Sequence, residues 1–518
     1  MMVPKKIDTL LIHQPLSTAK GCFHNTHPIG FFSMADTLEK SGVSCQIVNL
    51  AVEKEISSDF SVLEYIRKTQ PKVIGIGLHW YIHLYNAIKL AEEIKRAAST
   101  KVVFGGYTAS VFAKEILMSF PFVDAVIDGE GEIPMLMYSK KILGKIDSFE
   151  DVPNLVYRTG PNDVIKNQLR YQATTDDLNS FNYANIQTLK NFRKYFKIAT
   201  ASPIATHYPL PKIPDSIVLL ATGRGCENNC YNCGASSTAL KTTNFPFQVR
   251  YRDPNIVIGE IKEFLSYGYR YFAIVYNPES NYSYYLRLFE AIRRENIKIG
   301  LIFDAWFLPP QDFINSFIAT FDLNYSALGL TIESGSARIR SQIGKVHNTN
   351  EEICNFVEEV NKNRLFTNIH FTVGLPDETK EDVNDTLRMM DRLKKAYGHI
   401  IVNAIPLEPA SPMAVQPEKF RITAYRKTLQ DYFDFARDMA AIKYPRHPLG
   451  YATEHFSEMS LQKLKLGIFC RCYMNWRYLK LFLKVNDKKR LLAKLFSWLG
   501  VVTRSPRLFY KYTPGTIC

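Results

Sequence analysis

The chain has 518 residues, 46% of them hydrophobic, with 64 Lys and Arg against 50 Asp and Glu and a formal net charge of +14. That length calls for two or three domains, and the apolar fraction is enough to fill a core in each. Nine cysteines, three clustered and the rest scattered, do not read as a disulfide framework. No stretch reaches membrane-spanning length, and MMVPKKIDTLLIHQP carries a strand-length apolar run rather than a signal-peptide core. A reducing, cytoplasmic setting is expected. Much of the basic excess lies toward the C-terminus, so it is not read as a property of the core or as a nucleic-acid surface.

Residues 1–150 predict a doubly wound α/β domain. Ile7–Ile12, Cys45–Leu50, Val73–Leu78, Val102–Phe104 and Ala125–Ile127 are short apolar runs, several rich in Val and Ile. They alternate with the helical patterns Phe32–Ser41 and Tyr85–Ala98, as in a parallel sheet. Three successive strand ends carry glycine pairs: Gly75 and Gly77, Gly105 and Gly106, Gly129 and Gly131. Glycine lets backbone approach a ligand closely, so these ends predict a ligand-binding crest. Residues 151–211 predict a hairpin, with Gly160, Pro161 and Asn162 at its turn, followed by a proline-punctuated connector.

From 212 to about 435 the alternation resumes, with strand candidates Ile217–Ala221, Tyr271–Tyr276, Ile299–Phe303, Ala327–Ile332, Ile369–Val373 and Ile400–Ile405. The most informative loop follows the first of these. In GRGCENNCYNCG the spacing is C-x3-C-x2-C, placing Cys226, Cys230 and Cys233 at a strand's C-terminal end, where parallel barrels put their catalytic loops. Three thiolates on one loop can hold three irons of a 4Fe–4S cube and leave the fourth iron open. A structural zinc site would need a fourth ligand nearby, and no His or Cys follows before His347 and Cys354.

This loop resembles the cluster loop of the radical S-adenosylmethionine (SAM) superfamily. Three later patches resemble the family's other motifs in order: IESGSARIRSQIGK, HFTVGLPDET and NAIPLEPASPMA. The resemblance implies a partial (β/α) TIM-like barrel in which the open iron chelates SAM and one-electron cleavage gives a 5′-deoxyadenosyl radical. It also implies that Glu333 accepts hydrogen bonds from the SAM ribose and Ser334, beside Gly335, binds the methionine end, while Val373 and Gly374 pack against adenine. Tyr231, within the cysteine loop, is placed among the cofactor contacts. Where relatives carry an acidic pair, this chain reads AIVYNPESN, leaving Glu279 for that role. The tyrosines Tyr276, Tyr282, Tyr284 and Tyr285 are expected to pack beneath the barrel.

The first domain resembles the Rossmann-like cobalamin-binding domain found ahead of many radical SAM domains, through HPIGFFSMADTLEKSGVSCQIVNL, VVFGGYTAS and DAVIDGEGE. By that resemblance Gly105, Gly106, Tyr107 and Thr108 contact the corrin or its nucleotide tail, and Gly129 and Glu130 line the same crevice. The D-x-H-x-x-G run that supplies a lower-axial histidine elsewhere is absent. His13, His24, His27, His79 and His83 are not assigned as ligands.

Residues 436–518 read as a basic helical C-terminal extension. GIFCRCYMNWRYLKLFLKVNDKKRLLAKLFSWLG fits either a lid over the barrel mouth, which is favoured, or peripheral contact with an anionic membrane. Cys470 and Cys472 are spaced too closely for a typical metal pair, and unreactive helix cysteines are the expectation. The combined expectation is a cobalamin-dependent radical SAM enzyme with a 4Fe–4S cluster, SAM and cobalamin, transferring methyl from methylcobalamin to an unactivated carbon or phosphorus centre. Its partners would be a small-molecule, lipid or peptide substrate and a flavodoxin- or ferredoxin-type electron donor, with no nucleic acid. Cyclisation, rearrangement or oxidation without methyl transfer is the first alternative. An RNA-modifying enzyme or a non-catalytic iron–sulfur protein is the second.

Overall fold

The computed structural model describes residues 6–14, 27–161, 163–198, 216–344, 347–395, 399–441 and 445–473. Two sheets organise them. The first has seven strands: β1 (Thr9–His13), β2 (Cys45–Asn49), β3 (Val73–Gly77), β4 (Lys101–Gly105), β5 (Ala125–Ile127), β6 (Leu155–Gly160) and β7 (Asp163–Lys166), in the order β2-β1-β3-β4-β5-β6-β7. β1 to β5 are parallel, and their apolar runs are buried because helices cover both faces. The order reverses at β1, which pairs with β2 on one side and β3 on the other. A crevice beyond the carboxyl ends at such a switch point is where open α/β sheets bind ligands.

The hairpin assigned to the connector is instead part of this sheet. β6 pairs antiparallel with β5, and β7 with β6. Asn167 explains the attachment: its amide donates to the carbonyl oxygens of Phe149 at 2.6 Å and Val152 at 2.8 Å, pinning the hairpin's exit to its entry. The connector's proline-rich part, like Asn162 in the turn, lies outside the described residues.

The second sheet is six-stranded and wholly parallel: β8 (Val218–Leu219), β11 (Tyr271–Ile274), β12 (Gly300–Ala305), β13 (Ala327–Glu333), β14 (Phe366–Thr372) and β15 (His399–Asn403), side by side in chain order. Between β8 and β11 lies a two-stranded ribbon, β9 (Gly223–Arg224) with β10 (Arg250–Tyr251). Successive parallel neighbours with helical crossovers make an open barrel, and its carboxyl-end loops share one face. Strand lengths differ from expectation mainly where function intrudes. β8 shrinks to two residues because the chain leaves the sheet to build the cysteine loop, and β11 stops at Ile274, freeing Tyr276.

Beyond β15 the chain does not become purely helical. β16 (Ile422–Ala424) pairs antiparallel with β17 (Tyr451–Thr453). Between them the helix Leu429–Ala440 leaves the barrel and packs on the helix Leu84–Ala97 of the first sheet, its Leu429, Tyr432, Phe435, Ala436 and Met439 joining that sheet's core. The helix Glu458–Tyr473 follows β17. The basic stretch from 474 onward and the side chains of Cys470 and Cys472 lie outside the described residues. Among the described residues no helix is long and apolar enough to cross a membrane.

Candidate active site

Cys226, Cys230 and Cys233 share one loop that is held from several directions. Gly225 opens it at φ +90°, with Gln248 O only 1.9 Å from where a Cβ would stand, so no other residue fits. The Tyr276 hydroxyl lies 2.7 Å from the carbonyl oxygens of both Arg224 and Gly225 and pins the loop's entry. Within the loop, Cys233 N–H donates to Cys230 O at 3.2 Å and Ser237 N–H to Asn228 O at 2.9 Å. All three thiols are half-buried and free of disulfides. The Asn228 amide points at Cys226 Sγ over 3.7 Å, and Ala235 N–H donates to Cys233 Sγ over 3.4 Å. Such donors favour thiolates and tune sulfur-bound clusters. Among the described residues no three His, Cys, Asp or Glu side chains converge on a single-ion cage. Soft sulfur donors spread along one loop fit the three protein-held corners of an iron–sulfur cube.

The chain after β15 folds back over this loop. Met413 N–H donates to Tyr231 O at 3.0 Å, and the Tyr231 ring packs against Phe420 at 5.2 Å. Glu408 accepts the Gly234 N–H at 2.7 Å, while burial pushes its carboxyl up to about 7. Tyr231 therefore braces the loop through its backbone, whatever else its ring contacts. Glu408 was not singled out from sequence, although it lies within the quoted NAIPLEPASPMA.

The residues expected to contact SAM sit at the carboxyl ends of β13 and β14, with distinct local duties. Glu333 is buried at φ +68°, beside an irregularity in the β13–β14 register, and accepts the Thr372 hydroxyl at 2.6 Å. A left-handed glutamate at a strand end is strained backbone, a feature that concentrates at functional sites. Ser334 is fully buried; its hydroxyl accepts the Ser336 N–H and lies 3.2 Å from Thr386 Oγ1. Gly335 lets the helix Lys380–Lys395 pass, since a Cβ there would lie 2.4 Å from Thr386 Cα. Val373 N–H bonds Asn403 O at 2.9 Å, and Gly374, at φ +85°, gives its N–H to Glu378 at 2.8 Å and accepts the Tyr451 hydroxyl at 3.0 Å. Glu279 is half-buried and hydrogen-bonds Tyr251, whose hydroxyl is held above its ordinary range mainly by burial. Tyr282, Tyr284 and Tyr285 pack in the core, whereas Tyr276 reaches the cysteine loop.

The first sheet's crest faces the same loop. Tyr107 opens a short helix after β4, its ring 4.3 Å from Phe245 and 4.7 Å from His79. Burial and then the nearby Cys233 charge push its hydroxyl above the ordinary range. Thr108 donates to His79 O at 3.0 Å. The crest glycines divide. A Cβ at Gly105 would meet nothing within 4 Å, whereas at Gly106 it would meet the His79 backbone at 2.9 Å and at Gly129 the Asn244 backbone at 2.8 Å. Gly105 is thus open to a ligand, and the other two serve close packing. Gln14, just past β1 at the switch point, has a buried Oε1 with no partner among the described residues. An open glycine and an orphaned amide at the switch-point crevice fit a corrin or its tail. His13 and His79 are held neutral, each down to about 4, chiefly by burial.

Glu130 joins the first sheet to the cysteine loop. It is nearly fully buried, takes the Ala173 N–H at 2.6 Å and ion-pairs with Arg224. Arg224 also pairs with Glu132, lies 3.3 Å from that residue's second oxygen and donates to the Tyr183 hydroxyl at 2.8 Å. The arginine two residues before Cys226 is therefore clamped by the first domain's GEGE run. Glu130, expected to line the crevice, also takes part in this clamp. Sequence reading missed Arg224 and Glu132 because the partners lie more than 90 positions apart; an acidic pair in GEGE was the visible signal.

Comparison with known proteins agrees with both halves. Residues 22–137 match the B12 binding domain family and residues 220–390 the radical SAM superfamily. A tRNA-2-methylthio-N(6)-dimethylallyladenosine synthase of Christiangramia forsetii is 24% identical over 34% of this chain and 40% of its own length. An uncharacterized methyltransferase of Pyrococcus horikoshii is 23% identical over 72% of this chain and 75% of its own. The chain thus spans less than half of the first of these relatives. The radical SAM methyltransferase TsrM of Kitasatospora setae, solved with cobalamin and a [4Fe-4S] cluster, superposes with a TM-score of 0.64 at 13% identity, covering 98% of this chain and 99% of that one. This chain carries a B12-binding domain followed by a radical SAM domain.

Proposed function

We propose that this protein is a cobalamin-dependent radical SAM methyltransferase acting on a small molecule at an unactivated centre. The observation that supports the reading best is the shared wall between the domains: Glu130 and Glu132 of the cobalamin domain hold Arg224 of the cysteine loop, with Tyr107 beside the thiols. When bound, the cluster with SAM supplies a 5′-deoxyadenosyl radical and cobalamin a transferable methyl group. The chain's own part is positional. Cys226, Cys230 and Cys233 hold the cluster, Tyr276 and Arg224 fix the loop's entry, and Glu408 and Met413 fix its exit. Gly105 and Gln14 leave room at the crest for the corrin. Two domains locked across one site hold both reactive centres against one substrate, which is the largest contribution positioning can make. A flavodoxin- or ferredoxin-type donor in a reducing cytoplasm fits the electron requirement.

The test is anaerobic reconstitution with iron, sulfide and hydroxocobalamin, then incubation with reductant and methyl-deuterated SAM. 5′-Deoxyadenosine together with deuterated methylcobalamin is the expected result. Deoxyadenosine with bound cobalamin but no methylcobalamin would move the assignment to cyclisation, rearrangement or oxidation. Loss of cobalamin on desalting would remove the cobalamin half of the reading. Cys230→Ala should lower cluster iron and abolish deoxyadenosine formation while leaving cobalamin bound.

A further inference from the structure

The switch-point crevice of the first sheet holds two histidines that the cofactor assignments leave without a role. β1 ends at His13 and its neighbour β3 ends at Gly77, two residues before His79. Side chains alternate along a strand, so Ile74, Ile76 and Leu78 enter one core, while Gly75 and Gly77 face Leu11, Met135 and Phe31 on the other side. His79 continues that second side, near enough to His13 that a charge on one imidazole opposes a charge on the other. Phe31 meets the His13 ring edge-on at 6.4 Å, and His13 is half-buried. His79 is exposed, and Trp80 beside it is 45% exposed.

The exposure of His79 is not that of a loose loop. Leu78 N–H donates to Gly105 O at 2.8 Å, and His79 O accepts the Thr108 N–H at 3.3 Å and the Thr108 hydroxyl at 3.0 Å. A Cβ on Gly106 would stand 2.9 Å from the His79 backbone, so the two turns are in close contact. The ring is held as firmly, by Trp80 edge-on at 4.6 Å and by Tyr107 at 4.7 Å. Among the described residues neither of its nitrogens has a hydrogen-bond partner. The ring is open to solvent yet walled by the crevice, and those walls keep it neutral, the form in which imidazole binds metals. Aromatic walls around a single placed polar group are what ligand sites present. Here the wall is Trp80 and Tyr107, next to the open Gly105, in the domain that matches the B12-binding family. A corrin has the complementary form: a flat, largely apolar face with a metal at its centre. The D-x-H-x-x-G run is absent, so a ligand from this chain must be a histidine that packing places. A ligand on the sheet edge also leaves the opposite face of the corrin to the barrel.

We propose that His79 is the axial ligand of the bound corrinoid, setting a ring nitrogen on cobalt from the sheet side. It rests on the cobalamin half of the functional reading. The neutral nitrogen gives its lone pair to cobalt, and the group it displaces, water or the base of the nucleotide tail, leaves unchanged. The test reads the metal directly and needs no turnover. Full-length protein is reconstituted anaerobically with hydroxocobalamin, desalted, reduced to the cobalt(II) state and measured by electron paramagnetic resonance. One axial nitrogen splits each cobalt line into a triplet, and histidine labelled with the heavy nitrogen isotope turns that triplet into a doublet. The expected result is the doublet in labelled native protein, its loss in His79→Ala and its persistence in His13→Ala. Imidazole added to labelled His79→Ala should restore a triplet, which shows that the variant still folds and holds its corrinoid. Bound cobalamin without nitrogen splitting in the native protein would overturn the proposal. A triplet that labelling leaves unchanged would overturn it too, by giving the position to the tail's base. A doublet kept in His79→Ala and lost in His13→Ala would overturn it in favour of His13. Native protein that retains no cobalamin on desalting would overturn the cobalamin half of the functional reading, and the proposal with it.

Discussion

At the residue scale, the site depends on a few buried charges held by partners distant in sequence. Burial works against the Glu132 carboxylate, yet Arg224 outweighs it and holds the group below its ordinary range. Arg224→Met would leave Glu130 and Glu132 buried beside each other without a counter-charge, a change that typically costs about 3–5 kcal/mol. Chemical denaturation should show that loss, and the variant should retain less cluster iron. Glu378 behaves oppositely. Burial raises its carboxyl to about 8, only partly offset by the Gly374 N–H. Between the unfolded value of 4.5 and about 8 the unfolded chain releases this proton and the folded chain keeps it. Stability therefore falls as pH rises through that window, by on the order of a few kcal/mol. Glu378→Gln should flatten the profile between pH 5 and 8 in denaturation experiments.

At the scale of elements, glycines decide where loops and helices pass. Gly225 faces Gln248 O across the entry of the cysteine loop, and Gly335 faces Thr386 under the helix Lys380–Lys395. Neither contact involves a cofactor, although both glycines sit in motifs associated with one. Gly225→Ala cannot keep both its φ of +90° and its distance from Gln248, so the loop must move. Iron bound per chain should fall severalfold after reconstitution, with cobalamin binding retained. The shortness of β8 and β11 has the same origin: each strand ends where its residues are needed at the barrel mouth.

For the whole molecule, the helix Leu429–Ala440 ties the barrel to the first sheet. Tyr432 is 1% exposed and meets Tyr81 at 5.2 Å and Phe112 at 5.6 Å, while the Arg426 guanidinium lies 4.2 Å from the Phe435 ring centre. Truncating a buried aromatic of this kind costs about 3–5 kcal/mol. Tyr432→Ala should lower hydrogen-exchange protection in both the helix Leu429–Ala440 and the helix Leu84–Ala97. Unchanged protection in the second helix would mean that the other contacts between the two domains, the Arg224 clamp and Asn244 with Asp128 among them, suffice to hold it.

The sequence by itself determined what depends on local pattern. Apolar runs of strand length located both sheets, and C-x3-C-x2-C identified the cluster loop, because one short loop must supply all three sulfurs. Only the tertiary structure decided which residues outside that loop serve it. Arg224 gave no local sign of its pairing with Glu130 and Glu132, since a buried ion pair is specified by two domains meeting and not by spacing. The hairpin around Leu155–Gly160 and Asp163–Lys166 was legible from its turn residues, but its place in the first sheet was not, because edge pairing to β5 leaves no local signal. Gly106 and Gly129 read like Gly105 in the sequence. Packing alone separates the glycine open to a ligand from the two filled by the chain itself.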